Sequence, residues 1–214
     1  MSTIDKKMLE MYISAQQFLK YSRSSIAFIK HGKSKDFTNH VKNYHLITIE
    51  LEKLKKSNLV LNLNLKEEFK FVLSNLAIYE DSFIQISKLF KEEGYETYGI
   101  RGQLNKSNFK LSKQINNITP NLWHKINVLE KKYSYSNKKQ YESELLQIIN
   151  KLKSKINDSK INPKVKNKIL NYINSYKLSF AELVDVVKWI GVNNKSGAIG
   201  AMNLAFTSSQ PIFF

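Results

Sequence analysis

The chain contains no cysteine, so neither a disulfide framework nor a thiolate metal site is open to it. Proline and glycine are scarce, three and seven in 214 residues, which leaves little material for the tight turns of an all-β fold. Arginine occurs only at positions 23 and 101. No apolar run approaches the roughly 20 residues that span a bilayer, and no signal-peptide pattern precedes Asp5, so the chain as given is expected to be soluble. The four histidines, His31, His40, His45 and His124, lie outside HExxH or other ligand spacings, and no metal or cofactor is expected. A phosphate-binding loop, a dinucleotide fingerprint, a nucleophile with a histidine partner and a defended acidic pair are all missing, which argues against an enzyme.

What is present is lysine and apolar side chains. The hydrophobic share of 42% is enough to fill a core, and the formal charge of +16 favours nucleic acid, an anionic membrane surface or anionic small molecules as partners. The lysines are spread along every segment, so charge alone does not choose among these. Interfaces that read DNA or RNA lean on arginine, and nucleic acid is accordingly the second reading, beside a structural or partner-binding bundle.

Apolar positions recur every three and four residues. Ile4, Met8, Met11, Ala15, Phe18, Ser22, Ile26 and Ile29 form a first stripe, which Gly32 stops. Ser34 or Asp36 is the expected N-cap of a second helix with Phe37, Val41, Tyr44, Thr48, Leu51 and Leu54 on its inner face. A third stripe runs from Leu65 in unbroken phase to Ile118, through Gly94, Gly99 and Gly102. Thr119-Pro120 ends it, and a short helix with Leu122, Ile126, Leu129 and Tyr133 follows. Tyr141, Leu145, Ile148, Leu152 and Ile156 define a fifth helix; a sixth extends from Val165 to Leu204.

The two long segments align at an offset of 97 residues: Tyr79, Ser82, Phe83 and Gly94 fall on Tyr176, Ser179, Phe180 and Gly191, each copy following a hairpin of similar length, which suggests a duplication. Short loops join antiparallel neighbours, and a helix of about 50 residues is roughly 75 Å long. The expected fold is therefore all-α: two stacked four-helix bundles sharing two long helices, six helices in all. The first bundle takes about 1–92 plus 190–214, the second about 93–189, with the glycines at the joint. Glu93, Thr97 and Asn194 make that joint polar. The closing SSQPIFF is either the edge of a membrane segment or a frayed apolar tail.

Two stretches carry a family resemblance: YGIRGQL (98–104), similar to a G-L-R-G-x-L pattern, and LEKKY (129–133), similar to the end of an R-x-E-K-D-F/Y pattern. With the two-module bundle, the chain resembles the helical bimodular sensor domain of bacterial chemoreceptors (methyl-accepting chemotaxis proteins) and some sensor histidine kinases. The resemblance implies a periplasmic domain of a membrane-anchored inner-membrane protein, a homodimer, that binds a small molecule such as an organic acid and signals by helix displacement. The family places arginines on the first and last helices of the membrane-proximal bundle; Arg23 matches the first, while the last helix offers Asn194, Lys195 and Asn203.

Arg23, Tyr44, His45, Phe83 and Gly197 lie at similar distances from the joint, where Ser22 and Gly197 are too small to fill the stripe and leave room for an anion held by Arg23. Arg101 either reaches the interior or pairs with Glu93, Glu96 or Glu130. The expected ligand-binding set is Arg23, Ser22, Tyr44, His45, Tyr79, Phe83, Arg101, Asn194 and Gly197, with the competing reading that Arg23 points outward and the aromatics are core.

Overall fold

The computed structural model describes residues 3–115 and 118–213, and they are helical with no strand among them. The α-helices are α1 (Thr3–Gln17), α2 (Ile26–His31), α3 (Lys35–Lys55), α4 (Asn58–Asn62), α5 (Lys66–Glu93), α6 (Gly99–Ile115), α7 (Pro120–Ser136), α8 (Lys139–Asp158), α9 (Pro163–Ile190) and α10 (Gly197–Phe213). Phe214 and the side chains of 210–213, which make the SSQPIFF tail apolar, lie outside the described residues.

Local chemistry sets the boundaries. The Ser34 hydroxyl accepts from the Phe37 amide and caps α3, leaving Asp36 inside the first turn. Ser25 caps α2 in the same way, and Gly32 ends it at φ 67°. Pro120 opens α7 at its first turn, where its missing N–H costs nothing.

Three continuous helices expected from the apolar stripes are interrupted. The first becomes α1, a π-helical turn at Phe18–Ser22, and the separate α2. The third breaks between Glu93 and Gly99, and the sixth between Ile190 and Gly197, so a six-helix count gives way to the ten α-helices above. Each long break opens with a glycine at positive φ, Gly94 at 77° and Gly191 at 109°. Three residues into the helix beyond, Gly102 and Gly200 let the loop backbone at Thr97 and Lys195 lie against the first helical turn; a Cβ at either would overlap it. Asn105 Nδ2 then donates to the Glu96 carbonyl at 2.8 Å, and Asn203 Nδ2 to the Asn194 carbonyl at 3.3 Å. Both breaks are thus built from the same pattern, G-x-x-G-x-x-N, in GIRGQLN (99–105) and GAIGAMN (197–203).

The chain divides into two compact units, Met1–Glu92 with Lys188–Phe214, and Glu93–Val187. In the first unit, α1 packs on α3. Its core gathers Met8, Met11 and Ala15 of α1, Ile47 and Leu51 of α3, Val72 to Phe90 of α5, and Met202 and Ala205 of α10. The π-helical turn carries Phe18 into the middle of this core, with its ring edge-on to Phe28 at 4.7 Å and to Phe83 at 5.4 Å. Full burial of each such ring stabilises by about 1.5–3 kcal/mol relative to exposure.

The inner face of α3 differs from its apolar stripe. His40, Asn43, Ile47 and Leu51 are buried, whereas Val41, Tyr44 and Thr48 are only half-buried and Leu54 is exposed. A polar pair explains the turn of the helix: His40 Nε2 lies 2.7 Å from Glu80 Oε2 and Nδ1 3.2 Å from the Met11 carbonyl, so α3 is tied to both α5 and α1 through one imidazole. Breaking such a buried pair by removing one partner leaves the other unsatisfied, which costs more than the tilt of the apolar stripe.

In the second unit α7 packs against α8. Ile100, Leu104, Leu111 and Ile115 of α6, Trp123, Ile126, Leu129 and Tyr133 of α7, and Leu145, Ile149, Leu152 and Ile156 of α8 are buried with Ile169 to Val187 of α9. Tyr133 meets Phe180 edge-on at 5.3 Å, and Trp123 meets Tyr176 at 5.7 Å.

Candidate functional site

The first unit carries an open groove of ≈ 610 Å³ whose walls come from α1 with its π-helical turn and from α10 with the loop before it. Tyr12 and Phe206 stack at 4.4 Å with their planes 16° apart and join the two helices. Around them Gln16, Leu19 and Lys20 line one side, and Asn194, Ile199, Asn203 and Thr207 the other. Spacing along α1 and its π-helical turn explains the first wall: Tyr12, Gln16 and Lys20 follow one another at four-residue steps. With Phe18 drawn inward, Leu19 and Lys20 are left at the groove's edge.

The groove therefore offers a floor of two stacked rings, three amide side chains, the hydroxyls of Tyr12 and Thr207, and one ammonium. Among the described residues no carboxylate lines it. That donor set suits a small molecule with an anionic group and an apolar body, since Lys20 supplies charge and the amides supply directed hydrogen bonds.

Of the residues singled out in the sequence, Asn194 lines this groove. Gly197 opens α10 beside it at φ 58°, a backbone role. Arg23 is exposed, and its guanidinium carbon sits 4.8 Å from the centre of the Phe90 ring, a cation–π contact on the outside of the phenylalanine cluster. Ser22 donates to Asp36 Oδ2 at 2.6 Å, which ties the π-helical turn to the start of α3. Tyr44 is half-buried beside the exposed His45, 5.6 Å between ring centres; partial desolvation raises the Tyr44 pKa. Tyr79 and Phe83 are core residues, stacked on His40 at 5.6 and 3.7 Å. Arg101 makes a two-pronged ion pair with Glu93, its Nε at 2.9 Å and Nη2 at 2.5 Å from one carboxylate oxygen. The pair spans the break between α5 and α6 and holds its two ends together.

Sequence reasoning missed most of the groove. Tyr12, Gln16 and Lys20 sit off the apolar stripe of α1, and no local motif marks them. Asn203 was legible, because GIRGQLN and GAIGAMN share their glycines and asparagine at an offset of 98. The offset of 97 that aligns the tyrosines hides this match, since the second break is one residue longer than the first.

In the second unit the notable polar group is Glu130. Its Oε2 accepts from Tyr176 Oη at 2.5 Å and from Asn108 Nδ2 at 3.4 Å. Burial raises the Tyr176 pKa well above its ordinary value, and the neighbouring Glu130 charge raises it further. Tyr133 is pushed up to about 12, chiefly by burial. Among the described residues no group of three or more histidine or acidic side chains is placed to hold a metal, and no helix is long and apolar enough to cross a membrane.

No curated protein and no solved structure matches the chain. Residues 97–188 are similar to a family model described as Domain of Unknown Function (DUF1539), a match that nearly coincides with the second unit.

Proposed function

We propose that the chain is a ligand-binding sensor domain of the chemoreceptor kind, which takes a small organic anion into the groove between α1 and α10. One observation supports this reading best: a single groove is walled by the first and last helices of the described chain, with Lys20 on one wall and Asn194 and Asn203 on the other. A ligand touching both walls binds one relative position of the two helices better than another. Its differential affinity then shifts that position, and a displacement of about 1–2 Å is a sufficient signal. The extracytoplasmic location, the membrane-anchored parent, the homodimer and the end-to-end stacking of two bundles belong to the same proposal and rest on the sequence resemblance.

Relative to the sequence expectation, the anion-binding charge passes from Arg23 to Lys20. The ammonium is a compact charge on a flexible stem, so carboxylate selectivity must come from the flanking amides rather than from a bidentate fork. The test is a thermal-shift screen over organic acids and inorganic anions, in which a ligand at 100 times its dissociation constant stabilises by about 2.7 kcal/mol. A hit should weaken about tenfold or more in Lys20→Ala and be unchanged in Arg23→Ala. Equal affinity in Lys20→Ala and wild type would remove the groove from the reading.

A further inference from the structure

The second unit holds a groove of ≈ 560 Å³ between α6 and α7, lined by residues that include Asn105, Asn108, Asn127, Glu130 and Lys131. Its volume lies within the range of small-molecule sites. Its construction parallels that of the α1/α10 groove. In each, the asparagine of G-x-x-G-x-x-N, Asn105 or Asn203, both pins the preceding break and lines the groove. The facing helix in each presents an amide with a lysine four residues on, Gln16 with Lys20 and Asn127 with Lys131.

The linings differ at three matched positions. Where α10 places Phe206 and Thr207, α6 places Asn108 and Phe109 at the 98-residue offset; where the first wall has Leu19, α7 has Glu130, three residues after its amide. The second groove keeps an apolar part in Phe109 and Val128, and it gains an amide and a carboxylate where the first has Phe206 and Leu19. Asn108 Nδ2 donates to Asn127 Oδ1 at 2.8 Å and to Glu130 Oε2 at 3.4 Å, and Tyr176 Oη also bonds Oε2. These contacts hold the acid by Oε2; among the described residues no hydrogen bond engages Oε1 or the Asn127 amide protons.

We propose that this groove is a second binding site, specific for a small zwitterion such as a free amino acid. The ligand's ammonium pairs with Glu130, and its carboxylate takes hydrogen bonds from Asn127 and the charge of Lys131. A simple anion is disfavoured because Glu130 repels it, and a simple amine because Lys131 does. This site is independent of the anion site in the first unit and stands or falls separately.

The experiment titrates the whole chain with each of the common L-amino acids. For every hit, the matched amine without the carboxylate and the matched acid without the ammonium are titrated as well. Melting temperature and the side-chain amide NMR signals of Asn105, Asn108 and Asn127 are recorded. At least one amino acid is expected to raise the melting temperature and move those signals, with both matched compounds weaker by about tenfold or more. Glu130→Gln, which keeps an acceptor for Tyr176, and Lys131→Ala, on an exposed helix position, should each weaken the hit about tenfold, whereas Lys20→Ala leaves it unchanged. Absence of any amino-acid hit, a matched acid or amine that binds equally well, or indifference to both Glu130→Gln and Lys131→Ala would overturn the proposal.

Discussion

Tyr79 and Tyr176 occupy equivalent places in the two copies of Y-x-x-S-F, and their hydroxyls have opposite fates. Both tyrosines are buried, each followed by a serine at 7% exposure and a fully buried phenylalanine. Tyr176 Oη finds Glu130; Tyr79 Oη has no protein partner among the described residues, and neither has Asn75 Nδ2 one turn before it. The apolar parts of the motif are therefore fixed by the helix, which must bury one face whatever its neighbours are. The polar part is set by whichever side chain the adjacent helix supplies. In the first unit that polar role has moved one residue along, to Glu80, which meets His40.

The largest expected effects test the shared part. Phe83→Ala and Phe180→Ala each remove a ring with no exposed surface and should cost about 3–5 kcal/mol in urea denaturation. Phe83 also stacks on His40 at 3.7 Å, so its loss loosens the His40–Glu80 pair and should fall at the upper end. A cost below about 1 kcal/mol for either would mean that its unit repacks freely, and the equivalence of the two copies would fail.

Next come the glycines. Gly94 and Gly191 have φ of 77° and 109°, and a Cβ at either would press on a backbone carbonyl, that of Tyr98 or Ser196. Gly94→Ala and Gly191→Ala should each cost roughly 3 kcal/mol from strain and overlap combined. If one variant were neutral, its break would be adaptable, and the two breaks would differ in rigidity despite the pattern G-x-x-G-x-x-N that follows each.

The hydroxyls separate the copies. Tyr176→Phe removes a hydrogen bond to a carboxylate and should cost about 1.5–3 kcal/mol. Tyr79→Phe removes a buried hydroxyl without a protein partner and should be close to neutral or slightly stabilising. Equal losses for the two variants would show that Tyr79 has a partner in solution.

How much of this was readable in the sequence follows from the same division. Periodicity identified the helices and most of the core, from Met8 and Met11 to Tyr176 and Leu183, because burial of an apolar face is a local, repetitive demand. It mistook the inner face of α3, where His40 and Asn43 are buried at the expense of Val41 and Tyr44, because a hydrogen-bonded pair 40 residues apart leaves no periodic trace. It carried α5 into α6 and α9 into α10, because the apolar phase survives each break while positive φ does not show in hydropathy. Paired glycines at Gly94 and Gly99, and again at Gly191 and Gly197, were the available stop signals. The groove residues Gln16 and Lys20 were invisible for a different reason: a binding wall is made of whatever projects from the polar side of a helix, and only the partner helix distinguishes it from ordinary surface.

At high pH the two tyrosines act alike. Desolvation is the first cause of the raised pKa of both Tyr79 and Tyr176. In the unfolded chain each ionises near the ordinary value of 10.0, while the folded protein keeps its proton. The folded state then binds more protons than the unfolded one, so the contribution to stability is complete below pH 10 and declines as pH rises above it. Each such tyrosine adds a slope of about 1.4 kcal/mol per pH unit. Tyr133, pushed up to about 12, adds to the decline only between pH 10 and 12. Urea midpoints measured across this range should fall steeply, and Tyr79→Phe and Tyr176→Phe should flatten the decline by similar amounts although only the second lowers stability at pH 7. A slope unaltered by Tyr79→Phe would show that its phenol ionises in the folded core, which is possible only if water reaches the hydroxyl.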